Sequence, residues 1–305
     1  MKNRYTANTM RWISRICGFL LILLMWLPIT FHAVSSEPID ESIIYVDKKN
    51  PEYFLTIQDG IDAAKTGNTI FVYNGTYYEN IVIDKSIALI GENTLRTIID
   101  GRETGNVIKI NANNVTIKGF TIQHSGLFFP NSGINVSSDY NSIEDNEIIN
   151  NFYGMTLHRS SNNSIRNNLF QNDDSCGIYM SRSSNNTIRN NTIQNNRYNG
   201  IGVYDFSDSN VIEYNIFTHN NYCGINIRTS SYNNIIKNNF SENNIGIHLP
   251  NPDTNIVQDN TFLNNDIDID KELFFRDNEF FIIAVIFILA IILLIFFLKK
   301  KEKKR

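Results

Sequence analysis

The chain has 305 residues, a formal net charge of −4 and 42% hydrophobic residues, so it is long enough for one large domain or two small ones. Between its two ends, residues 37–279 carry about 17 Lys and Arg against about 30 Asp and Glu, a balance of about −13. A surface this acidic excludes nucleic acid and anionic lipid as expected partners, because both favour basic patches, and leaves metal cations as candidates.

Residues 1–36 are predicted to be a secretory signal peptide. Basic residues such as Arg11 and Arg15 precede the apolar run ICGFLLILLMWL, and small residues follow in AVSSEP. This order of basic, apolar and small-residue segments is typical of a cleaved signal. An uncleaved membrane anchor is the alternative, but an apolar run of about 12 residues is short for a bilayer.

Residues 37–68 are predicted to form an N-terminal cap. Within it, TIQDGIDAAKTG places Ile57, Ile61 and Ala64 on one helical face and ends at Gly67, which indicates a short amphipathic cap helix. Such a helix covers the apolar interior and the unpaired strand edge that the open end of a solenoid exposes.

Residues 69–272 contain a repeat of 21–24 residues that is marked by asparagine. Each copy has three such positions. The second lies five residues after the first, and the third lies nine residues after it. Equivalent positions of successive copies form three rows. The first row comprises Asn141, Asn163, Asn186, Asn210, Asn234 and Asn255. The second row comprises Asn146, Asn168, Asn191, Asn215, Asn239 and Asn260. The third row comprises Asn150, Asn172, Asn195, His219, Asn243 and Asn264.

Short apolar stretches with a period of two lie between the asparagines, for example Gly177, Ile178 and Met180. Strands this short bury an apolar face only by stacking on the next copy. The sequence therefore predicts an all-β fold, a right-handed parallel β-helix solenoid of about ten coils. A leucine-rich horseshoe has a similar period, but its leucine consensus is missing. The asparagines are expected at the turns, stacked in a hydrogen-bonded ladder.

Two cysteines lie within the repeat region. Cys176 and Cys223 each precede a repeat glycine, two coils apart, with Asn199 between them. Their Cα atoms are expected about 9–10 Å apart, beyond the roughly 7 Å that a disulfide spans. Both cysteines are therefore predicted to be reduced and packed.

The C-terminal end is predicted to anchor the chain in a membrane. Residues 273–279 form a juxtamembrane linker, residues 280–298 an unbroken apolar stretch, and residues 299–305 the basic tail KKKEKKR. A stretch of about 19 apolar residues suits one transmembrane α-helix. Because basic residues stay on the cytoplasmic side, the prediction is a single-pass cell-membrane protein whose β-helix is extracellular or periplasmic.

Two stretches resemble known families. The stretch TIQDGIDAAKTGNTIFVYNGTYYENI resembles the N-terminal cap of pectin methylesterases. The segment VTIKGFTI and the asparagine-rich coils resemble the NosD-like periplasmic copper-maturation proteins. The resemblance spans about residues 43–270 and implies the parallel β-helix of the pectate-lyase-like superfamily. It leaves the activity open, because enzymes and non-enzymes share such repeats.

The catalytic candidates are residues that resemble parts of enzyme sites in that superfamily. Pectin methylesterase motifs do not follow the cap. The pair Asp173 and Asp174, with Arg228 in a later coil, resembles part of a polygalacturonase site, but acid–base hydrolysis needs two carboxylates facing one bond. Asp205 and Asp208 extend this pair to an acidic cluster of the kind that a calcium-dependent lyase uses. Solvated turn residues are the alternative interpretation of all four.

No cofactor is predicted, and calcium is the one metal that the acidic residues suit. The candidate ligands are Asp205, Asp208, Asp266, Asp268 and Asp270. A copper site would use histidine, methionine or cysteine. However, His124 and His219 are expected roughly 19 Å apart, and His158 and His248 occupy other positions of the repeat.

Tyrosines are the candidates for ligand binding, namely Tyr153, Tyr198, Tyr204 and Tyr222. Stacked coils give a long and regular polar face, which suits an extended polysaccharide. The predicted function is therefore non-catalytic surface display or polysaccharide binding. The alternatives are a polysaccharide lyase or glycoside hydrolase, and a structural envelope or copper-maturation accessory protein. Asn74, in a sequon, is the candidate glycosylation site.

Overall fold

The structure, a computed structural model, describes residues 42–250 and 254–271. Over these residues the chain forms 28 short strands and one helix, and the strands wind into a parallel β-helix. Neighbouring strands in each sheet are parallel and come from successive coils. The predicted all-β parallel β-helix of about ten coils is therefore confirmed.

The strands are numbered in chain order and form three sheets. Sheet A contains β1 (Ile43–Val46), β2 (Thr69–Val72), β5 (Ala88–Gly91), β8 (Thr116–Lys118), β11 (Ser142–Glu144), β14 (Ser164–Arg166), β17 (Thr187–Arg189), β20 (Val211–Glu213), β23 (Asn234–Ile236) and β26 (Ile256–Gln258). Sheet B contains β3 (Gly75–Tyr77), β6 (Thr97–Asp100), β9 (Thr121–Gln123), β12 (Glu147–Ile149), β15 (Leu169–Gln171), β18 (Thr192–Gln194), β21 (Ile216–Thr218), β24 (Asn239–Ser241) and β27 (Thr261–Leu263). Sheet C contains β4 (Ile81–Ile83), β7 (Ile108–Ile110), β10 (Ser132–Val136), β13 (Tyr153–His158), β16 (Ile178–Ser181), β19 (Asn199–Tyr204), β22 (Cys223–Ile227), β25 (Ile245–His248) and β28 (Ile267–Asp270).

The N-terminal end carries the predicted cap helix, α1 (Ile57–Ala63). Its N-cap is Thr56, whose side chain accepts a hydrogen bond from the backbone N–H of Asp59 and so satisfies one free donor of the first turn. The helix packs its buried face on β1, β2 and β4. The contact is close at Gly60, where a Cβ would lie 2.8 Å from Val46.

The interior of the coil is filled by columns of apolar side chains, one from each coil. Sheet A contributes Ile117, Ile143, Ile165, Ile188, Ile212 and Ile235, and sheet B contributes Ile122, Ile148, Phe170, Ile193, Phe217 and Phe240. Each of these side chains is at most 1% exposed. Burying one contributes about 1.5–3 kcal/mol, so the stacked columns supply the main apolar stabilisation.

The corners of the coil use two adjacent residues with different roles. The first residue has a left-handed backbone, and asparagine suits it because asparagine tolerates φ > 0. The second residue is buried, and asparagine suits it because its amide forms hydrogen bonds. In one coil the left-handed residues are Asn185 (φ +58°), Asn190 (φ +54°) and Asn195 (φ +56°). The buried residues that follow them are Asn186, Asn191 and Asn196, each at most 1% exposed.

The buried amides bond to the coils on both sides, as Asn191 illustrates. Its Oδ1 accepts from the backbone N–H of Asn168 at 2.9 Å and from the Nδ2 of Asn168 at 3.1 Å. Its Nδ2 donates to Oδ1 of Asn215 at 3.0 Å, and to the carbonyls of Ile165 and Arg189 at 3.0 and 3.1 Å. Each amide therefore satisfies buried backbone groups that the turn leaves unpaired.

The membership of the rows differs from the sequence prediction. Asn233 and Asn238 are the buried residues where Asn234 and Asn239 were predicted. The third row lies one residue later than predicted at all but one coil, and its members are Asn151, Asp173, Asn196, Asn220, Asn243 and Asn265. The error arose because both residues of a corner are often asparagine, so composition does not distinguish the left-handed residue from the buried one.

The predicted transmembrane helix requires a correction to the fold class. Throughout residues 42–250 and 254–271, α1 is the only helix, and with seven residues it is too short to cross a membrane. Residues 280–298, where the transmembrane helix was predicted, lie outside the described residues. The predicted signal peptide (1–36), linker (273–279) and basic tail (299–305) lie outside them as well.

Asn191→Ala is expected to lower the free energy of unfolding by about 2–4 kcal/mol, because it leaves buried polar groups of adjacent coils without partners. Denaturant unfolding followed by circular dichroism measures the loss. The matched control is Asn190→Gly, since residue 190 is exposed and glycine adopts the same φ. We expect the control to change stability by at most about 0.5 kcal/mol. Equal losses in both variants would contradict the assignment of roles.

Candidate functional site

A cleft of about 430 Å³ opens on the outer face of sheet C. Residues from four successive coils line it, in the strands β13, β16, β19 and β22 and in the turns beside them. The lining residues are Tyr153, Ser175, Cys176, Tyr179, Tyr198, Tyr204, Asp205, Asn226, Arg228 and Thr229. Three of the four predicted ligand-binding tyrosines, Tyr153, Tyr198 and Tyr204, therefore line the same cleft.

Alternation along the strands of sheet C brings the cleft residues to the surface. In β16, Ile178 and Met180 point into the core, and Tyr179 between them is half-buried on the outer face. The strand register then aligns Tyr179 with Gly202 and Gly202 with Asn226. These residues form one outward-facing row across three coils.

Gly202 makes room for the ring of Tyr204. A Cβ at Gly202 would lie 2.4 Å from the Tyr204 ring, a distance that real side chains do not adopt. The ring therefore lies across the glycine instead of extending into solvent. This close approach requires glycine at residue 202 and fixes one wall of the cleft.

Three tyrosines from successive coils form a continuous row of aromatic rings along the cleft, in which Tyr153 is 8% exposed and Tyr179 and Tyr204 are half-buried. The ring centroids of Tyr153 and Tyr179 are 5.2 Å apart, and those of Tyr179 and Tyr204 are 5.3 Å apart. Phe152 and Phe129 extend the surface beyond Tyr153, at 4.9 and 6.3 Å. All four spacings lie in the range of favourable aromatic pairs, so the surface is held in shape by its own contacts.

A second pair of rings lies at the turn that leads into sheet C. Tyr198 stacks on Tyr222 with a centroid distance of 4.9 Å and an interplanar angle of 13°. Tyr198 lines the cleft and is 46% exposed, whereas Tyr222 supports it from the next coil. Sequence reasoning missed Tyr179, although the alternation around it was the signal that places its ring outside.

Some of the polar groups near the rings form hydrogen bonds with other side chains of the protein. The side-chain Nδ2 of Asn199 donates to the phenol oxygen of Tyr204 at 3.1 Å and to the Sγ of Cys176 at 3.6 Å. The Ser181 hydroxyl donates to the Asp205 carboxylate at 2.9 Å. Burial raises the pKa of the Tyr204 phenol and of the Cys176 thiol, so both groups stay protonated near neutral pH.

Asn226 is a buried amide at the floor of the cleft. It is 1% exposed, and its Oδ1 has no hydrogen-bond partner among the described residues. Unsatisfied buried polar atoms are rare in proteins and destabilising. Asn226 therefore has hydrogen-bonding capacity that a ligand can use.

The two cysteines are free and buried, as the sequence predicted. Asn199 aligns with Cys223 in the adjacent coil, and the carbonyl of Asn199 accepts from the N–H of Gly177, which follows Cys176. The coil of Asn199 therefore lies between the coils of Cys176 and Cys223, which are two coils apart. The prediction that both cysteines are reduced and packed is confirmed.

The predicted acidic pair is divided between the interior and the surface. Asp173 occupies the third asparagine row, is 1% exposed and, unlike Asn226, does not line the cleft, so a polymer bound there does not reach its carboxyl group. Its Oδ1 accepts from the N–H of Asn151 at 2.9 Å, and its Oδ2 has no partner among the described residues. Asp174 is exposed at the turn. Arg228 lines the cleft, which neither aspartate lines.

The predicted metal ligands are spread over several coils. Asp205 is at the cleft, Asp208 accepts from a backbone N–H at 2.7 Å, and Asp270 lies 2.8 Å from a histidine ring nitrogen of the preceding coil. Asp266 and Asp268 are exposed. Within the part of the chain that the structure describes, no three histidine, cysteine, aspartate or glutamate side chains are placed to hold a metal ion.

Asn74, the candidate glycosylation site, is half-buried between β2 and β3. Its Oδ1 accepts from the Thr97 hydroxyl at 3.3 Å, and its backbone N–H donates to the Glu92 carboxylate at 2.8 Å. Its glycosylation stays a prediction.

The fold and the cleft together define a parallel β-helix protein with an aromatic site on one sheet. Residues 61–273 match the family described as "Periplasmic copper-binding protein (NosD)". Because this match covers more than half of the chain, the chain belongs to that family. No curated protein sequence matches the chain.

Several solved structures share the fold. The A-module of the mannuronan C-5 epimerase AlgE6 of Azotobacter vinelandii is 15% identical with a TM-score of 0.51, over 71% of this chain and 72% of that one. The catalytic domain of a GH87 α-1,3-glucanase is 14% identical with a TM-score of 0.54, over 75% and 46%. The periplasmic alginate epimerase AlgG is 18% identical with a TM-score of 0.48, over 64% and 47%. The chain thus spans about half of the glucanase domain and of AlgG, and identities this low show the fold alone.

Asp173→Asn is expected to raise the free energy of unfolding, because an amide restores the donor that the other members of the third row supply. Burial raises the pKa of the Asp173 carboxyl well above its usual value. Folding therefore takes up a proton at pH values between about 3.9, the unfolded pKa, and the folded pKa. Across that window the stability of the wild type falls as the pH rises, because the proton that folding takes up at Asp173 becomes scarcer.

The Asp173→Asn variant lacks this carboxyl group. The difference in free energy of unfolding between the variant and the wild type should therefore increase from pH 4 to pH 7. Denaturant unfolding at several pH values measures the difference. Asp266→Asn is the control, since residue 266 is exposed and lies several coils from Asp173, so its replacement should change stability little at any pH. An advantage for Asp173→Asn that did not depend on pH would contradict the buried, protonated carboxyl.

Proposed function

We propose that this protein binds glycans through the tyrosine cleft of sheet C. The observation that supports the proposal is the aromatic surface of Tyr153, Tyr179 and Tyr204, with hydrogen-bonding side chains beside it. A sugar ring presents C–H groups on its faces and hydroxyls around its edge. Aromatic rings pack on the former and polar side chains bind the latter, which is the general composition of ligand sites in proteins.

An oligosaccharide segment suits the cleft better than a single sugar. The lining residues come from four coils, and strands in successive coils lie about 4.8 Å apart. Phe152 and Phe129 continue the aromatic surface past the cleft itself. The site is therefore long enough for several linked sugars.

The domain is proposed to act outside the cytoplasm. The signal-like pattern of residues 1–36 supports export. The description of the family, which names a periplasmic protein, agrees with this location. A glycan-binding role fits a compartment in which cell-envelope and extracellular polysaccharides are found.

Hydrolysis or elimination of the bound glycan is the alternative that the geometry supports less. Glycoside hydrolysis of the usual kind requires two carboxylates on either side of one bond. Among the described residues that line the cleft, Asp205 is the only carboxylate. Asp173 is inside the coil and Asp174 is on a turn outside the cleft lining. Glycan binding without catalysis requires no pair of carboxylates, and it accounts for the aromatic rings in the cleft.

Copper binding, which the family description names, does not fit the donor groups of residues 42–250 and 254–271. Met155 and Met180 are completely buried in the core. Burial raises the pKa of the Cys176 and Cys223 thiols, which opposes the thiolate form that binds metals. In residues 42–250 and 254–271, no cluster of three histidine, cysteine or acidic side chains is present. No step of the proposed function involves copper.

Tyr179→Ala is expected to weaken glycan binding about tenfold, because it removes the central ring of the aromatic surface. Isothermal titration calorimetry of the full-length protein against neutral and acidic oligosaccharides measures the dissociation constants. Tyr232→Ala is the matched control, because Tyr232 is 67% exposed and lies outside the cleft. Unchanged affinity in Tyr179→Ala, or the absence of any glycan binding, would contradict the proposal.

Gly202→Ala tests the same site without removal of an aromatic ring. The added Cβ displaces the ring of Tyr204, so affinity should fall by a factor of about three to ten even though every tyrosine remains. The thermal unfolding midpoint, measured in parallel, distinguishes a local displacement from a loss of folding. Wild-type affinity in a folded Gly202→Ala protein would show that the position of Tyr204 does not matter for binding.

A further inference from the structure

We infer that the cleft selects uncharged, hydroxyl-rich glycans over glycans built from uronic acids. This inference rests on the proposed glycan binding and adds the chemical class of the ligand. Three features of the cleft support it: its charge balance, the unsatisfied amide at its floor, and the arrangement of its remaining donors and acceptors.

The lining of the cleft carries no net charge. Asp205 and Arg228 are the charged residues among the lining side chains, and their charges are opposite. The phenol of Tyr204 and the thiol of Cys176 stay neutral because burial raises the pKa of each. A uronate polymer carries a negative charge on every sugar and is attracted by an excess of cations. Neither this cleft nor the chain as a whole, with a net charge of −4, supplies that excess.

The buried amide of Asn226 favours a hydroxyl group as its partner. Its Oδ1 lacks a hydrogen-bond partner among the described residues, and the side chain is 1% exposed. A sugar hydroxyl both donates and accepts, so it can pair with either end of an amide. An ionised carboxylate only accepts and leaves the amide oxygen unsatisfied. Binding of a hydroxyl therefore relieves a cost that binding of a carboxylate does not.

The other polar groups complement hydroxyls in the same way. Asp205 is exposed, and its carboxylate, which already accepts from Ser181, has further lone pairs for ligand hydroxyls. The same charge repels a ligand carboxylate. The phenol oxygen of Tyr204 accepts a hydrogen bond from the Asn199 amide. The O–H of Tyr204 donates to no group among the described residues, so it is a donor for the ligand. The cleft therefore offers both acceptors and a donor around one aromatic surface.

The experiment compares neutral and acidic oligosaccharides of identical linkage by calorimetry with the full-length protein. The pairs are hexamers of β-1,4-mannan and β-1,4-mannuronan, of β-1,4-glucan and β-1,4-glucuronan, and of α-1,4-galactan and α-1,4-galacturonan. In any pair that binds, we expect the neutral hexamer to have a dissociation constant at least about tenfold lower. An O-methylated form of that neutral hexamer should lose at least about tenfold in affinity, because it cannot donate to the Asn226 amide.

Two variants connect the selectivity to named side chains. Asn226→Ala should weaken binding of the neutral hexamer about tenfold, whereas Asn135→Ala, in the same outward row of sheet C but outside the cleft, should not change it. Asp205→Asn should narrow the preference for the neutral hexamer by a factor of about three, and Asp208→Asn, outside the cleft, should leave it unchanged.

The outcomes separate this inference from the proposed function. Tighter binding of a uronate hexamer than of its neutral partner, or equal binding of the O-methylated hexamer, would overturn the inference and leave glycan binding in place. Binding of neither member of any pair would overturn the proposed function itself.

Discussion

The hydrogen bonds between buried asparagines of successive coils are the constraint on which the rest of the structure depends. The strands contain only three to six residues, so pairing within the sheets alone gives each coil few contacts that fix its register. At each corner a left-handed residue turns the chain, and the next residue bonds to the coils above and below. Because the corners recur at the same place in each coil, outward side chains of sheet C from different coils stand side by side.

The coils depart from that regularity at two places, and the cleft is a consequence of the regularity and of the first departure. Sheet C aligns Tyr179, Gly202 and Asn226, so successive coils present a ring, a gap and an amide at one position. The gap lets the ring of Tyr204 lie flat against the sheet. Asp173 is the second departure, since it places an ionisable group where the third row otherwise has asparagine. The first departure gives the site its shape, whereas the second lies in the interior and takes no part in the cleft.

The sequence predicted those features that depend on periodicity. The repeat of asparagine and apolar residues indicated the solenoid and the separation of Cys176 from Cys223, and the helical spacing of Ile57, Ile61 and Ala64 indicated the cap helix. It did not indicate which of two adjacent corner residues is buried, because both are often asparagine. For the same reason Asp173 was considered a surface residue. Tyr179 was missed because side-chain positions across coils, such as that of Tyr204 over Gly202, depend on packing and not on the period.

The measurement that tests the central claim most directly is a crystal structure of the full-length protein with a bound neutral oligosaccharide. The account predicts sugar rings packed on Tyr153, Tyr179 and Tyr204, with a hydroxyl within hydrogen-bond distance of the Asn226 amide. Sugar bound on sheet A or sheet B, with the tyrosine cleft free of ligand, would contradict it.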